Sequence, residues 1–182
     1  MVDYIFETFK SSIGLSLIII TLVIMLGIRS GKLGLLSLIP NIFPLLAGAS
    51  WIYLSGLFID FSCVVAFVIS LGIAVDDTIH FLVAYKEYEK GRSATETLKL
   101  VFSKCGNGIA LTTVILVLGF GSLLFSNFLA NYKLGLLTII VLSTALIADF
   151  LFLPALLAIM KKDSSPNDFD STKNEELRPA KI

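Results

Sequence analysis

The sequence is poor in charged residues and in metal-binding residues. Charged side chains make up 15% of the 182 residues, against about 25% in a typical soluble domain. The two cysteines, Cys63 and Cys105, have the spacing of neither a zinc site nor a disulfide framework. Acidic and basic residues balance at 14 each, which does not favour nucleic-acid binding, because such binding needs a basic surface. We therefore expect no metal site and no nucleic-acid partner.

Motifs of soluble enzymes are also missing from the sequence. It has no glycine-rich phosphate loop, no zinc-ligand spacing and no nucleophile elbow. We therefore expect the chain to bind no cofactor and not to be an enzyme.

Long apolar runs fill most of the chain. Hydrophobic residues make up 56% of it, and a helix needs about 20 mostly apolar residues to cross a bilayer. Five stretches qualify, at about residues 11–28, 33–54, 57–84, 106–125 and 134–160. The alternation typical of transmembrane strands is absent. The sequence thus predicts an all-α, polytopic membrane bundle of about five transmembrane helices.

Flanking segments complete the predicted organisation. Residues 1–10 form an N-terminal segment, residues 11–161 the membrane domain, and residues 162–182 a polar tail that we expect to be disordered. Ser93 and Glu96 have the spacing of a capping box, which predicts a short interfacial helix at about residues 93–104. Pro40 and Pro44 predict a kink in the second transmembrane helix.

Basic residues lie mainly on one side of the predicted bundle. They occur in the segments 29–32, 86–104 and 161–162, whereas residues 55–60 contain none and residues 126–133 contain one. Because cytoplasmic loops carry the excess of Lys and Arg, we expect the N-terminus outside the cell and the C-terminus in the cytoplasm.

Two adjacent acids, Asp76 and Asp77, interrupt the third apolar stretch. An ionised Asp at the centre of a membrane helix costs about 2.5–3.5 kcal/mol on insertion scales. An interhelical hydrogen bond returns only about 0.6 kcal/mol on average. A structural role for the two acids stays open, but this difference favours a proton relay, in which buried acids bind and release protons near neutral pH.

Other polar residues are expected at a similar depth. At 1.5 Å per residue, Asp76 and Asp77 lie about 12–14 Å from the basic end of their helix, as do Thr112 and Thr113 on the next helix. Asp149 lies about 17 Å from its own basic end. If these helices adjoin, the five side chains form one buried polar cluster. For Asp149 a relay role and a structural role are both open.

Gly72, Asp76 and His80 recur every four residues, so they share one face of the third helix. Gly72 would let a neighbouring helix approach closely. His80 is near the helix end, where a solvated or capping role is slightly favoured over a relay role. Asp77 is rotated by about 100° from Asp76, so the two acids cannot point the same way.

Five motifs together resemble the resistance–nodulation–division (RND) superfamily, in particular its MMPL-type branch and the related sterol-sensing-domain (SSD) membrane proteins. They are Pro40-Asn-Ile-Phe-Pro44, Gly72-Ile-Ala-Val-Asp76-Asp77-Thr-Ile-His80, Gly119-Phe-Gly-Ser-Leu-Leu-Phe-Ser126, Gly135-Leu-Leu-Thr138 and Ala148-Asp149-Phe-Leu-Phe-Leu-Pro154. Their order and spacing span about residues 31–161 and make the resemblance specific.

The resemblance carries expectations about function. Such transporters have two similar membrane halves, and this chain looks like the last five helices of the second half. Asp76 and Asp77 match the proton-relay acids, with Thr112, Thr113, Asp149 and His80 as candidate support. The resemblance implies proton-driven export of lipids or other hydrophobic compounds across a bacterial cytoplasmic (inner) membrane. The expected partner is the other half or a second copy of the chain. A non-transporting sterol-sensing-like or structural subunit is the alternative.

Overall fold

The computed structural model of the protein describes residues 2–28 and 30–163, with side chains from residue 11 to residue 160. Its seven α-helices are α1 (Val2–Ile28), α2 (Gly31–Leu36), α3 (Leu38–Leu54), α4 (Phe61–Tyr88), α5 (Ala94–Val101), α6 (Asn107–Gly121) and α7 (Leu129–Asp163). Those residues include no strand. Residues 164–182 of the tail expected to be disordered, and the Arg29 used to orient the bundle, fall outside the described residues. The first two residues of that tail, Lys162 and Asp163, belong to α7.

Among the described residues, five spans are long and apolar enough to cross a membrane. They are Ser11–Ile28, Gly31–Leu54, Phe61–Tyr88, Ala94–Phe125 and Leu129–Met160. The all-α, five-helix architecture expected from the apolar runs is confirmed. Residues 2–10, expected to be a separate N-terminal segment, continue the first span, because α1 is helical from Val2.

The second span is broken at Ser37, where α2 gives way to α3. Proline has no N–H, so Pro40 cannot donate to the Leu36 carbonyl, which lies four residues before it. The helix continues through Pro44, so the interruption lies just before the proline pair. Local side chains take over part of the hydrogen bonding: Ser37 Oγ donates to Gly34 O at 2.7 Å, and Asn41 Nδ2 donates to Ser37 O at 2.7 Å.

Helix α4 begins and ends about four residues later than the apolar run suggested. Gly56, in a left-handed conformation with φ of 63°, lies in the turn that follows α3. Asp60 then caps α4, since its Oδ1 accepts from the Cys63 N–H at 3.2 Å. A polar cap satisfies an otherwise unpaired N–H at the helix start. The acids of α4 therefore lie near its middle.

The capping box at Ser93 is confirmed. Ser93 Oγ accepts from the Glu96 N–H at 3.3 Å, and Glu96 Oε2 accepts from the Ser93 N–H at 3.1 Å. Helix α5 then passes through a π-helical turn, Phe102–Gly106, directly into α6. Phe102 packs edge-on against Phe81 of α4 and Phe150 of α7, with ring centroids 5.4 and 5.5 Å apart. The π-helical turn therefore holds the start of α6 against α4 and α7.

Helix α7 is the centre of the bundle and packs against α3, α4, α5 and α6. Close packing needs small residues at the contacts. A Cβ on Gly48 of α3 would lie 2.7 Å from the Val141 side chain of α7. A Cβ on Gly135 of α7 would lie 2.7 Å from the Phe120 carbonyl oxygen of α6. These two glycines thus hold α3 and α6 against α7.

Lysines cluster at a cavity at one end of the bundle, whereas a single buried lysine lies at the other end. Lys32, Lys86 and Lys90 line one cavity with Leu157 near the end of α7. At the opposite end Lys133 Nζ donates to Asp60 Oδ2 at 2.7 Å and to the Phe58 carbonyl at 3.2 Å. Lys133 is 6% exposed, so the single basic residue of segment 126–133 is a buried partner of α4.

Candidate functional site: a polar cluster beside an open groove

Helix α4 carries three consecutive polar residues that point to different surroundings. Because successive helical residues are rotated by about 100°, Asp76, Asp77 and Thr78 face three directions. Asp76 is exposed, Asp77 is half-buried and Thr78 is fully buried. One short segment thus connects an open surface to the centre of the bundle.

Asp77 faces helix α6. Thr113 Oγ1 approaches Asp77 Oδ2 at 3.4 Å and the carbonyl of Ile109 in its own helix at 2.9 Å. Thr113 is 3% exposed, so the hydroxyl side of this contact is buried, whereas Asp77 itself is half-buried. The expected contact between the acids of α4 and the threonines of α6 is present at this pair.

Thr78 faces helix α7. Its Oγ1 lies 2.9 Å from Asp149 Oδ1 and 3.1 Å from the Ala74 carbonyl of α4. Thr78 is fully buried and Asp149 is 2% exposed. A carboxyl group buried this deeply needs a polar partner, and Thr78 supplies a hydrogen bond to it. Asp149 is also within electrostatic range of Asp77.

Asp76 and His80 lie on the outer face of α4. His80 Nε2 is 3.7 Å from Asp76 Oδ1, and the two side chains are 69% and 70% exposed. The separation is longer than a hydrogen bond, so the pair interacts through charge when His80 is protonated. Asp76 has no hydrogen bond to Thr112 or Thr113 among the described residues, unlike Asp77.

An open groove of about 650 Å³ lies along this outer face, between α4 and α6. We call it the Asp76 groove. Helices α4 and α6 both pack on α7 but hardly touch each other, which leaves the groove between them. Its lining residues are Gly72, Ile73, Asp76, Asp77, His80, Cys105, Gly108, Ile109, Thr112 and Leu116.

Gly72 does not pack against a helix within this chain. No atom lies within 4 Å of the position that a Cβ would occupy on Gly72, and the same holds for Gly108 across the groove. The close approach expected at Gly72 is therefore not made by α1 to α7. Each wall of the Asp76 groove therefore carries one glycine with open space in front of it.

The expected single buried cluster of five side chains is wrong, because Asp76 and Thr112 are exposed, and the polar residues form two groups. Asp77, Thr113 and Asp149 belong to the inner cluster, whereas Asp76, His80 and Thr112 line the groove. Thr78 completes the inner cluster, although no role was predicted for it from the sequence. Its position next to Asp77 could have indicated this role, because successive residues of a helix are rotated by about 100° and face different neighbouring helices.

The cluster has groups suited to holding or passing protons. A hydroxyl can donate to an ionised carboxylate and accept from a protonated one. Thr113 and Thr78 can therefore satisfy Asp77 and Asp149 in either protonation state. Asp77 also lines the groove, so it is the inner acid that the groove reaches directly.

Comparison with protein families gives one match. The family model described as MMPL family matches residues 1–175, which is nearly the whole chain and includes α1 to α7. A comparison with curated proteins gave no match.

Proposed function

We propose a transport role from one premise: the chain belongs to the MMPL family. It is a multi-pass membrane protein with an RND/MMPL-type transporter domain. The proposed activity is proton-driven export of lipids or other hydrophobic compounds, with the chain acting as one membrane half. We place it in a bacterial cytoplasmic membrane with its N-terminus outside, and assign it no enzymatic reaction.

The observation that carries this proposal is the position of Asp77. It meets Thr113 inside the bundle, lies near Asp149, and opens onto the Asp76 groove. Acids within membrane spans are costly and mark proton relays and ion pathways. In the proposed cycle Asp76 and Asp77 exchange protons with the groove. Thr113 stays hydrogen-bonded to Asp77 as it does so, and Thr78 holds the neighbouring acid Asp149.

The Asp76 groove also supports the proposed need for a partner. Asp76 and His80 are largely exposed on the membrane-spanning part of the chain, where contact with lipid would be costly. Gly72 and Gly108 each leave room for another helix. The proposed occupant is a helix of the other transporter half or of a second copy. It would enclose the acids and complete the proton path.

Photo-crosslinking in native membranes tests for this partner. Benzoylphenylalanine in place of Leu116, which lines the groove, should give a discrete protein adduct. An adduct of about twice 19.8 kDa would indicate a second copy, and another mass a different polypeptide. The same probe in place of Leu22 on α1, which is 56% exposed, is the matched control. Adducts with lipid alone at Leu116 would contradict a partner at the groove.

Dye efflux from native cells tests the transport activity. Cells with the gene deleted and cells with it restored are loaded with Nile red, a hydrophobic probe, and then energised. Restored cells should expel the dye faster, and a protonophore should abolish the difference. Equal efflux by the two strains would favour the alternative role, a non-transporting sterol-sensing-like or structural subunit.

A further inference from the structure

Two cavities adjoin at the lysine-rich end of the bundle, away from Asp76 and Asp77. One, of about 360 Å³, lies between the ends of α2, α4 and α7, and the other, of about 390 Å³, lies between α1 and α4. Lys86 and Lys90 line both. The two cavities therefore lie on either side of Lys86 and Lys90, which form a basic ridge at the end of α4.

The charges of this ridge are only partly neutralised within the chain. Lys86 Nζ lies 2.7 Å from Glu89 Oε1, so these two residues form an ion pair. Lys32 and Lys90 are exposed and form no ion pair with any described residue. Glu87 lines the second cavity as the remaining acid. Two ammonium groups thus remain as donors to an anion at the mouth of the cavities.

The walls below the lysines are apolar. Leu33, Leu157 and Met160 line the first cavity, and Ile28 and Val83 the second. Val83 is 47% exposed, and it lies about one and a half turns before the end of α4. Tyr85, which also lines the first cavity, is of the residue type enriched where a membrane meets water. A ligand here would hold an anion at the lysines and an apolar chain against the helices.

We propose that Lys32 and Lys90, with the apolar walls of these two cavities, form a binding site for one anionic phospholipid. Basic pockets between transmembrane helices bind anionic head groups. The phosphate would lie between the two lysines, with the acyl chains along Val83 and Ile28. The site depends on the membrane location of the chain and not on its transport activity.

Native mass spectrometry of the purified full chain tests the site. The chain is titrated with phosphatidylglycerol or with phosphatidylcholine, and the fraction carrying one lipid is measured. The variant Lys32→Gln/Lys90→Gln removes both donors. The matched control, Lys99→Gln/Lys104→Gln, removes the same charge from two exposed lysines outside both cavities. All four positions are exposed, and circular dichroism checks that each variant keeps its helices.

We expect the Lys32/Lys90 variant to bind phosphatidylglycerol roughly tenfold to thirtyfold more weakly, with phosphatidylcholine unchanged. The control should bind within twofold of the original chain. Equal weakening in both variants, or none in the first, would overturn the proposal. Glycerol 3-phosphate at millimolar concentration should not displace the lipid, and displacement would identify a site for a free phosphate instead.

Discussion

Thr78 Oγ1 lies 2.9 Å from Asp149 Oδ1, and this contact joins α4 to α7 at the level of the candidate relay. The two residues are 71 positions apart in the chain, and both are buried. Because Thr78 directly follows Asp77, any movement of this part of α4 changes Asp77 and the Asp149 contact together. The packed interface between α4 and α7, which we call the seam, thus holds Asp76 and Asp77 in position at the groove.

Replacing Thr78 with Val should destabilise the bundle. The change keeps the shape but removes the hydrogen bond to Asp149, and we expect a loss of about 0.6–1.7 kcal/mol in the free energy of unfolding. Thr78→Ser should lose less. Thr144→Val is the control, since Thr144 Oγ1 bonds only to the Ile140 carbonyl of its own helix. Unfolding in bicelles gives the values, and equal effects at Thr78 and Thr144 would rule out the interhelical role.

The ion pair between Asp60 and Lys133 should stabilise the opposite end of the same seam. Asp60→Asn leaves the buried Lys133 ammonium without its charged partner, and we expect a loss of about 1–3 kcal/mol. A double-mutant cycle with Lys133→Met measures the coupling. Glu87→Gln, at an exposed acid of α4, should change stability little. Additive effects in the cycle would show that the pair contributes nothing.

The stability supplied by Asp60 should depend on pH. Burial acts to raise the pKa of this carboxyl, but hydrogen bonds from Lys133 and the Cys63 N–H outweigh it and hold the pKa below its ordinary value of 3.8. A lowered pKa stabilises the fold above the ordinary value, and this stabilisation is lost as the pH falls through the lower folded value. The difference in melting temperature between the original chain and Asp60→Asn should therefore shrink from pH 7 to about pH 3. A difference that grows on acidification would contradict this sign.

Two glycines should respond oppositely to the same substitution. Gly135→Ala places a methyl group 2.7 Å from the Phe120 carbonyl oxygen, and we expect a loss of about 1–3 kcal/mol from this overpacking. Gly72→Ala meets open space within the chain and should not lower the stability of the isolated chain. At the proposed partner interface, however, it should weaken the Leu116 photo-crosslink. If the Gly72→Ala variant is stable and crosslinks as fully as the original chain, no partner helix packs closely against Gly72.

Cysteine labelling should establish the orientation of the bundle. In a Cys63→Ala/Cys105→Ala background, cysteine in place of Phe58, which is 86% exposed, should react with an impermeant maleimide in intact cells. Cysteine in place of the exposed Thr95 should react only after permeabilisation. The reverse pattern would invert the topology that the loop lysines predict.

The sequence predicted the five spans, because the length of an apolar run depends on local composition alone. It did not predict which neighbour each polar residue meets. Thr113, not Thr112, contacts Asp77, and Thr78 meets Asp149. These choices depend on how α6 and α7 rotate against α4. Almost every face of those helices is apolar in sequence, so hydrophobic periodicity contains little information about rotation.

The ion pair between residues far apart in the chain could also not be predicted from the sequence. Lys133 and Asp60 are 73 residues apart. In the sequence Lys133 belongs to a short loop segment, whereas in the structure it lies in α7, beside the start of α4. The break at Ser37 had a local cause in Pro40 and was predicted to within a few residues as a kink. Features that depend on one segment were thus predictable, and those that depend on two packed segments were not.

Proton-driven dye efflux by acid variants tests the central claim most directly. In the deletion strain restored with Asp77→Asn, Nile red efflux should fall to the level of protonophore-treated cells, because Asn keeps the shape and hydrogen bonding but cannot carry a proton. Asp77→Glu should retain part of the activity. Asp60→Asn, expressed to the same level, should stay above the protonophore-treated level. If Asp77→Asn cells expel the dye as fast as the original strain, and a protonophore still stops that efflux, Asp77 is structural and the proposed relay is wrong.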